Sequence, residues 1–294
     1  MAKFKGMVAA VPTPFNEDES INFDAFEKLL EHVIGGGMHC LLIGGSTGEY
    51  SLLSVPERKS LIEAAVKITK KRTKILAGCS NHRPCDVIDM AQFSAEVGAD
   101  MALVLPPYYM KTSRQGLIDY FTEIAEKSPI GIMIYHYPLN TGVYLEPELI
   151  VELGRIKNIV AVKNTDEMDH TAKLIALSRD MDDFSIINGY ENLIMGTLAL
   201  GGEGTMGLVH NLAPKHMVDI FNAMASGDLA TAQKINATLA PLYNMMESEP
   251  YPGPLKAALS MMGIPMGVPR KPIVPPSEEM KANLRKAMME IGIL

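Results

Sequence analysis

Ile159-Val160-Ala161-Val162-Lys163-Asn164-Thr165 opens with four apolar residues, three of them β-branched, and runs into a lysine. A short apolar run of this kind reads as a strand buried on both faces, as in a parallel sheet. Lysine is the residue least easily buried as an ion. At the mouth of a barrel of such strands, desolvation disfavours its ammonium form and leaves an amine able to attack a carbonyl. A lysine at a strand end that simply points into water is the ordinary alternative, and the neighbouring strands decide between the two.

Outward from that run the same unit recurs on both sides. Met7–Val11 is a first strand stopped by Pro12 and Pro14, and Asn22 caps a helix carrying Phe26, Leu29, Leu30, Val33 and Ile34 up to Gly35-Gly36-Gly37. Cys40–Ile43 is a second strand, followed by Gly44-Gly45-Ser46-Thr47-Gly48-Glu49 and a capping box, Ser54-Val55-Pro56-Glu57. Ile75–Gly78, Met101–Leu105 and Ile130–Tyr135 are the third to fifth strands. After the Lys163 strand come Phe184–Asn188 and the weaker Gly204–Val209.

Strands alternating with helices over short connections predict an α/β protein, a (β/α)8 TIM barrel. A doubly wound sheet would carry a glycine fingerprint after its first strand, where this chain has Pro12-Thr13-Pro14. From Ala213 the pattern turns helical, with stretches near 215–224, 228–247, 255–262 and 278–291. The expected organisation is a barrel over 1–212 and a C-terminal helical extension over 213–294 packed on it.

Composition narrows the function classes. A net charge of −7 with no basic block argues against a general nucleic-acid binder, which needs a cationic face to release counterions. No apolar run reaches membrane-spanning length, and Met1-Ala2-Lys3-Phe4-Lys5 leads into a strand rather than a signal-peptide core, so a cytoplasmic protein is expected. Three cysteines make a disulfide framework unattractive. Cys79, His82 and Cys85 have a metal-like spacing, but a closed zinc site needs four ligands and no second cluster completes it. No metal is expected there. The 21 methionines read as core filler.

Barrel active sites collect at the C-terminal ends of the strands. There the chain sets the Gly-Gly-Ser-Thr-Gly turn, with backbone N–H groups and two hydroxyls suited to a carboxylate. It also sets Pro106-Pro107-Tyr108-Tyr109, Tyr135-His136, Lys163 and Asn188-Gly189-Tyr190. An amine, phenols and hydroxyls would share one face. A neutral lysine condenses with an α-keto acid to a protonated imine, an electron sink; loss of a neighbouring proton gives an enamine that adds to an aldehyde. Each step moves a proton, which suits a nearby phenol. This chemistry needs no metal or organic cofactor beyond the covalent Schiff base on Lys163.

Taken together, GGSTGE at 44–49, PPYY at 106–109, YHYPLNTG at 135–142, the Lys163 strand, LALGGEG at 198–204 and EPYPGPLKAAL at 249–259 resemble the dihydrodipicolinate synthase / N-acetylneuraminate lyase family of pyruvate-dependent class I aldolases, over essentially the whole chain. The resemblance implies a lyase acting on a small α-keto acid and an aldehyde, with Lys163 as Schiff-base lysine and Tyr135 as proton relay. It implies Ser46 as a hydroxyl in that relay and Thr47, beside Gly48, as the group holding the pyruvate carboxylate. Thr165, Gly189 and Met206 fall at substrate-binding positions. Tyr109 falls where the family reaches into a neighbouring subunit, which implies a homo-oligomer, commonly a tetramer built as a dimer of dimers.

The departures bear on the aldehyde. Where the synthases of the family carry an Arg that grips the distal carboxylate of aspartate semialdehyde, this chain has Asn140, and His136 replaces the usual Asn. Asn188-Gly189-Tyr190-Glu191 and Thr165 are closer to the sugar-acid lyases, whose second acidic residue is Asn192 here. The expectation is therefore an aldolase for a hydroxylated 2-keto acid. A dihydrodipicolinate synthase and a non-catalytic α-keto-acid binder are the alternatives. Val55 and Arg58 stand where lysine-inhibited relatives have two histidines, so no feedback inhibition by lysine is expected.

Overall fold

A computed structural model describes residues 3–246, 248 and 250–294. The last residue of the expected 228–247 stretch and the first of the 249–259 run lie outside the described residues. Eight strands are hydrogen-bonded in chain order into a closed barrel. They are β1 (Val8–Ala10), β2 (Cys40–Ile43), β3 (Lys74–Gly78), β4 (Met101–Val104), β5 (Gly131–His136), β6 (Ile159–Asn164), β7 (Ser185–Asn188) and β8 (Gly204–Gly207). Helices alternate with them: α1 (Phe23–Gly35), α2 (Val55–Thr69), α3 (Pro84–Val97), α4 (Arg114–Lys127), the short α5 (Pro138–Thr141), α6 (Pro147–Gly154), α7 (Met168–Leu177) and α8 (Ile194–Leu200). After β8 come α9 (Val209–Leu212), α10 (Pro214–Ser226), α11 (Leu229–Met246), α12 (Gly253–Met261) and α13 (Glu278–Ile291). The fold is the (β/α)8 barrel with C-terminal helices that the alternation predicts.

The eighth strand is shorter than its apolar run suggests. It stops at Gly207, and Val209, expected in the strand, instead opens the single turn of α9. Helix starts follow their local chemistry. Asn22 accepts the Ala25 N–H at 2.9 Å, and Ser54 and Glu57 form the reciprocal capping box at the head of α2. Among the described residues no helix is long and apolar enough to cross a membrane.

By compactness the chain divides into two units. The first holds Ile75–Met206 with the N-terminal residues through Gly6. In it β5 and β6 pair parallel, with Ile132 opposite Ile159 but Met133 opposite Ala161. Val160 is the extra residue of this bulge, which resets the register so that Tyr135 stands opposite Lys163 and His136 opposite Asn164. In-register neighbours in a parallel pair share a face. The bulge therefore decides that the phenol and the amine meet.

The second unit holds Met7–Lys74 and Gly207–Leu294. Here β1 pairs parallel with β2, Val8 opposite Cys40. α9 packs on β1, and α10, α11 and α12 pack on α9. The described C-terminal helices thus reach β1 through α9.

Candidate active site

In the first unit, Lys163 is 6% exposed and Tyr135 3% exposed. The lysine Nζ donates to the Tyr135 hydroxyl at 3.2 Å and lies 4.2 Å from the centre of its ring. Tyr137 stacks on Tyr135 with ring centres 5.7 Å apart, which fixes the phenol's plane. Gly189 follows β7, and its N–H donates to the Asn164 carbonyl at 2.7 Å. A Cβ on Gly189 would fall 1.8 Å from Thr165 Oγ1 and 3.1 Å from Lys163 Cε, so only glycine leaves room for this pairing. Among the described residues Thr165 Oγ1 is buried without a hydrogen-bond partner, a hydroxyl beside the same glycine. Lys163, Tyr135, Thr165 and Gly189 are therefore brought together. An amine and a phenol in mutual contact can exchange a proton, and the spare hydroxyl can serve an oxygen of a bound acid.

The residues behind these strand ends are polar and buried. Asn164 and Asn188 both donate to Thr171 Oγ1 on α7, at 3.0 and 3.1 Å, and Asn188 also donates to Thr197 on α8 at 3.1 Å. Asn188 thus serves the helix layer. His136, wholly buried, bonds Asp166 Oδ2 through Nε2 at 3.1 Å, and the Thr165 N–H donates to the His136 carbonyl at 2.8 Å. Burial pulls the His136 imidazole down to about 4, against the raising influence of Asp166.

The other expected residues of this unit differ in burial. Met206 is wholly buried in β8. Asn140 is exposed on α5. Tyr109 is 91% exposed at φ +70°, with Met110 beside it 73% exposed; a left-handed tyrosine is uncommon and holds its ring out from the surface. Two of the cations near the open loops are engaged: Arg83 pairs with Asp86 at 2.5 and 2.8 Å, and Arg114 with Glu152. Cys79 is buried 3.7 Å from Ser94 Oγ, Cys85 is exposed, and His82 lies against Tyr108.

In the second unit the turn after β2 is built as a fixed loop. The Thr47 hydroxyl bonds the Tyr251 hydroxyl at 2.7 Å, and Thr13 Oγ1 donates to the Gly48 carbonyl at 2.7 Å. Thr47 is 3% exposed and Ser46 half-buried. Glu49, at φ +58°, is buried. It accepts from Lys256 Nζ and from the Arg270 N–H, each at 2.8 Å. Lys256 also donates to the Val268 carbonyl at 3.1 Å and sits 4.2 Å over the Phe15 ring. Tyr251, Lys256 and Arg270 were not singled out from the sequence. Their signal was a lysine inside the apolar run Leu255–Leu259 and a Tyr between two prolines, neither of which names its partner.

Comparison with known proteins bears on the family. A family model described as the Dihydrodipicolinate synthetase family matches residues 3–291. A protein of Methanothrix thermoacetophila named 4-hydroxy-tetrahydrodipicolinate synthase is 34% identical over 292 residues, covering 99% of this chain and 98% of the relative. One of Thermodesulfovibrio yellowstonii with the same name is 35% identical, covering 99% of each. The crystal structure of dihydrodipicolinate synthase from Thermotoga maritima superposes with a TM-score of 0.95 at 30% identity over 99% of both chains. That of YagE, an Escherichia coli prophage protein of the same family solved in complex with pyruvate, gives 0.94 at 29% identity, again over 99% of both. The chain belongs to the dihydrodipicolinate synthetase family of class I aldolase-type lyases.

Proposed function

We propose that this protein forms a Schiff base between Lys163 and pyruvate and joins the resulting enamine to an aldehyde, or runs that bond formation in reverse. The observation that carries this is the buried contact between Lys163 Nζ and the Tyr135 hydroxyl. A lysine this poorly hydrated is a readier nucleophile than a surface one. Its amine attacks the keto carbon, and loss of water gives the imine. The phenol one bond away passes the protons that carbinolamine formation, dehydration and enamine formation require. The Thr165 hydroxyl has its hydrogen-bonding capacity free for a substrate oxygen. The roles of Ser46, Thr47 and Gly48 towards the carboxylate rest on the family resemblance, as does the role of Tyr109 in a homo-oligomer. No step calls for a metal or an organic cofactor.

The test is reduction by borohydride. With pyruvate present, intact mass is expected to rise by one reduced pyruvyl group mapped to Lys163, and Lys163→Met abolishes the adduct and turnover together. An adduct on another lysine, or none, rejects the assignment.

For the aldehyde, the names of the relatives favour aspartate semialdehyde, and with it a 4-hydroxy-tetrahydrodipicolinate synthase, over the sugar-acid reading of the sequence. One observation keeps the hydroxylated aldehyde as a second reading. Asn140 offers amide donors where a carboxylate calls for a cation, and Arg83 and Arg114 are already paired, which leaves the exposed Lys111 as the loop cation that would have to supply the charge. A charge-assisted contact is worth about 1.5–3 kcal/mol, or roughly 10–150-fold. Asn140→Arg is thus expected to raise kcat/KM for aspartate semialdehyde relative to glyceraldehyde within that range. A parent enzyme that already prefers aspartate semialdehyde by about tenfold or more ends the sugar-acid reading.

A further inference from the structure

Thr165 stands one residue past the end of β6, where the chain turns towards α7. His136, the last residue of β5, holds it from both sides. The His136 carbonyl accepts the Thr165 N–H at 2.8 Å. On the next residue, Asp166 Oδ2 accepts from the His136 imidazole Nε2 at 3.1 Å. Asp166 Oδ1 also accepts the Glu167 N–H at 2.7 Å, which ties down the chain as it leaves the strand.

The histidine is in turn held still. It is wholly buried, and its ring stacks on that of His170 with centres 4.7 Å apart at an interplanar angle of 17°. Tyr144 meets both rings edge-on, each at 5.5 Å. His170 Nε2 donates to the Leu145 carbonyl at 3.0 Å. Burial pulls His136 down to about 4, so at neutral pH it is uncharged and its single ring proton serves Asp166. Successive residues of a strand face opposite ways, so His136 turns towards His170 on α7 while Tyr135 turns to Lys163.

A threonine side chain has few χ1 choices, so a fixed backbone at residue 165 fixes the direction of its hydroxyl. A Cβ built on Gly189 would meet Thr165 Oγ1 at 1.8 Å and Lys163 Cε at 3.1 Å, which sets that hydroxyl beside the lysine stem. Among the described residues it has no hydrogen-bond partner. A group that binds substrate has to be held to about half an ångström by the residues around it. We propose that His136 and Asp166 are positioning residues: they hold the Thr165 hydroxyl against an oxygen of the pyruvate that Lys163 takes up. This rests on the proposed Schiff base. Neither residue touches the reacting atoms, and both act through Thr165. The asparagine that the family usually has at position 136 carries no ring to stack on His170, so the clasp depends on the histidine.

The test reads how much pyruvate is needed to place the borohydride-reducible imine on Lys163, so no aldehyde is required. The full-length parent and its variants are incubated with graded pyruvate and reduced, and the adduct is measured by intact mass. Thr165→Val, Asp166→Ala and His136→Phe, which keeps a ring against His170, should each raise the half-saturating pyruvate concentration about 3–10-fold, the worth of one hydrogen bond. Asp166→Asn still offers an oxygen to His136 and should stay closer to the parent than Asp166→Ala. The deciding variant is Thr165→Val/Asp166→Ala, expected to need no more pyruvate than Thr165→Val alone. A residue that merely stabilises the fold would instead multiply the two losses. Multiplied losses, a change under about threefold in any of the three single variants, or Asp166→Asn as impaired as Asp166→Ala overturns the proposal and leaves the Schiff base standing. If His136→Phe does not fold, the Asp166 variants and the double variant decide alone. A parent that gives no adduct on Lys163 rejects the Schiff base and the proposal with it.

Discussion

Lys163 and Lys256 are 6% and 0% exposed, and each comes from one of the two compact units. Their surroundings differ in kind. Lys256 meets a carboxylate at 2.8 Å, a carbonyl at 3.1 Å and the Phe15 face at 4.2 Å. Burial lowers its pKa and raises that of Glu49, and the pairing opposes both shifts. We read it as a matched ion pair, because the Arg270 N–H also donates to the carboxylate and the Val268 carbonyl accepts from the ammonium. Lys163 instead donates to the Tyr135 phenol, beside Gly189 and a Thr165 hydroxyl with no hydrogen-bond partner among the described residues. A buried cation whose needs are met by fixed protein groups builds structure. A buried amine beside a proton carrier is suited to chemistry.

Replacing Tyr135 by Phe is the most direct way to break this contrast. It removes the proton carrier and leaves the ring packing on Tyr137. Turnover is expected to fall by about 10²–10⁴-fold while borohydride still traps pyruvate on Lys163. A variant within a few-fold of the parent would make Tyr135 a packing residue and remove the chemical half of the comparison.

Lys256→Met tests the structural half. It leaves Glu49 buried without its cation, which typically costs about 3–5 kcal/mol, whereas exchanging both partners for apolar residues is often close to neutral. Urea unfolding should therefore show a large loss in Lys256→Met and a much smaller one in Glu49→Leu/Lys256→Met. Giving up the bond between Lys163 and the Tyr135 hydroxyl costs about 0.5–1.5 kcal/mol. Equal losses for Lys163→Met and Lys256→Met would erase the distinction.

The two regions were not equally legible. The run 159–165 shows its strand through β-branching and its lysine through position, and Tyr135 and Gly189 also fall at strand ends. Strand period alone does not reveal the bulge at Val160, which sets the register bringing Tyr135 opposite Lys163. The Glu49–Lys256 pair spans 207 residues and Thr47–Tyr251 spans 204. No local propensity encodes such contacts; they appear only once the chain is folded. His136 was visible as a departure from the family, but its partners Asp166 and His170 depend on how α7 packs behind β5 and β6. The strand-end amide of Asn188 gives no hint in the sequence of its bonds to Thr171 and Thr197.

The smallest expected effect sharpens the structural side. Arg270 lies 4.5 Å over the Phe15 ring and donates to Glu57 Oε2 at 3.2 Å and to Oε1. Chiefly through that guanidinium, the Glu57 carboxyl is held down at about 2, from an ordinary value of 4.5. The folded state therefore binds the proton more weakly than the unfolded chain. The stabilisation is fully present above pH 4.5 and is lost as pH falls towards 2. Because the Glu57 side chain is 30% exposed, solvent screening discounts the pair to about 1 kcal/mol. In Arg270→Gln, Glu57 keeps its Ser54 bonds but loses the guanidinium, so its carboxyl returns towards the ordinary value. The backbone N–H of residue 270 still reaches Glu49, so the Lys256 pair survives. Urea midpoints followed from neutral pH down through this window should fall more steeply in the parent than in Arg270→Gln, with the two converging at the acid end. Parallel limbs would show that Arg270 is held by the Leu52 and Glu19 carbonyls it also contacts, and that its charge on Glu57 contributes nothing measurable.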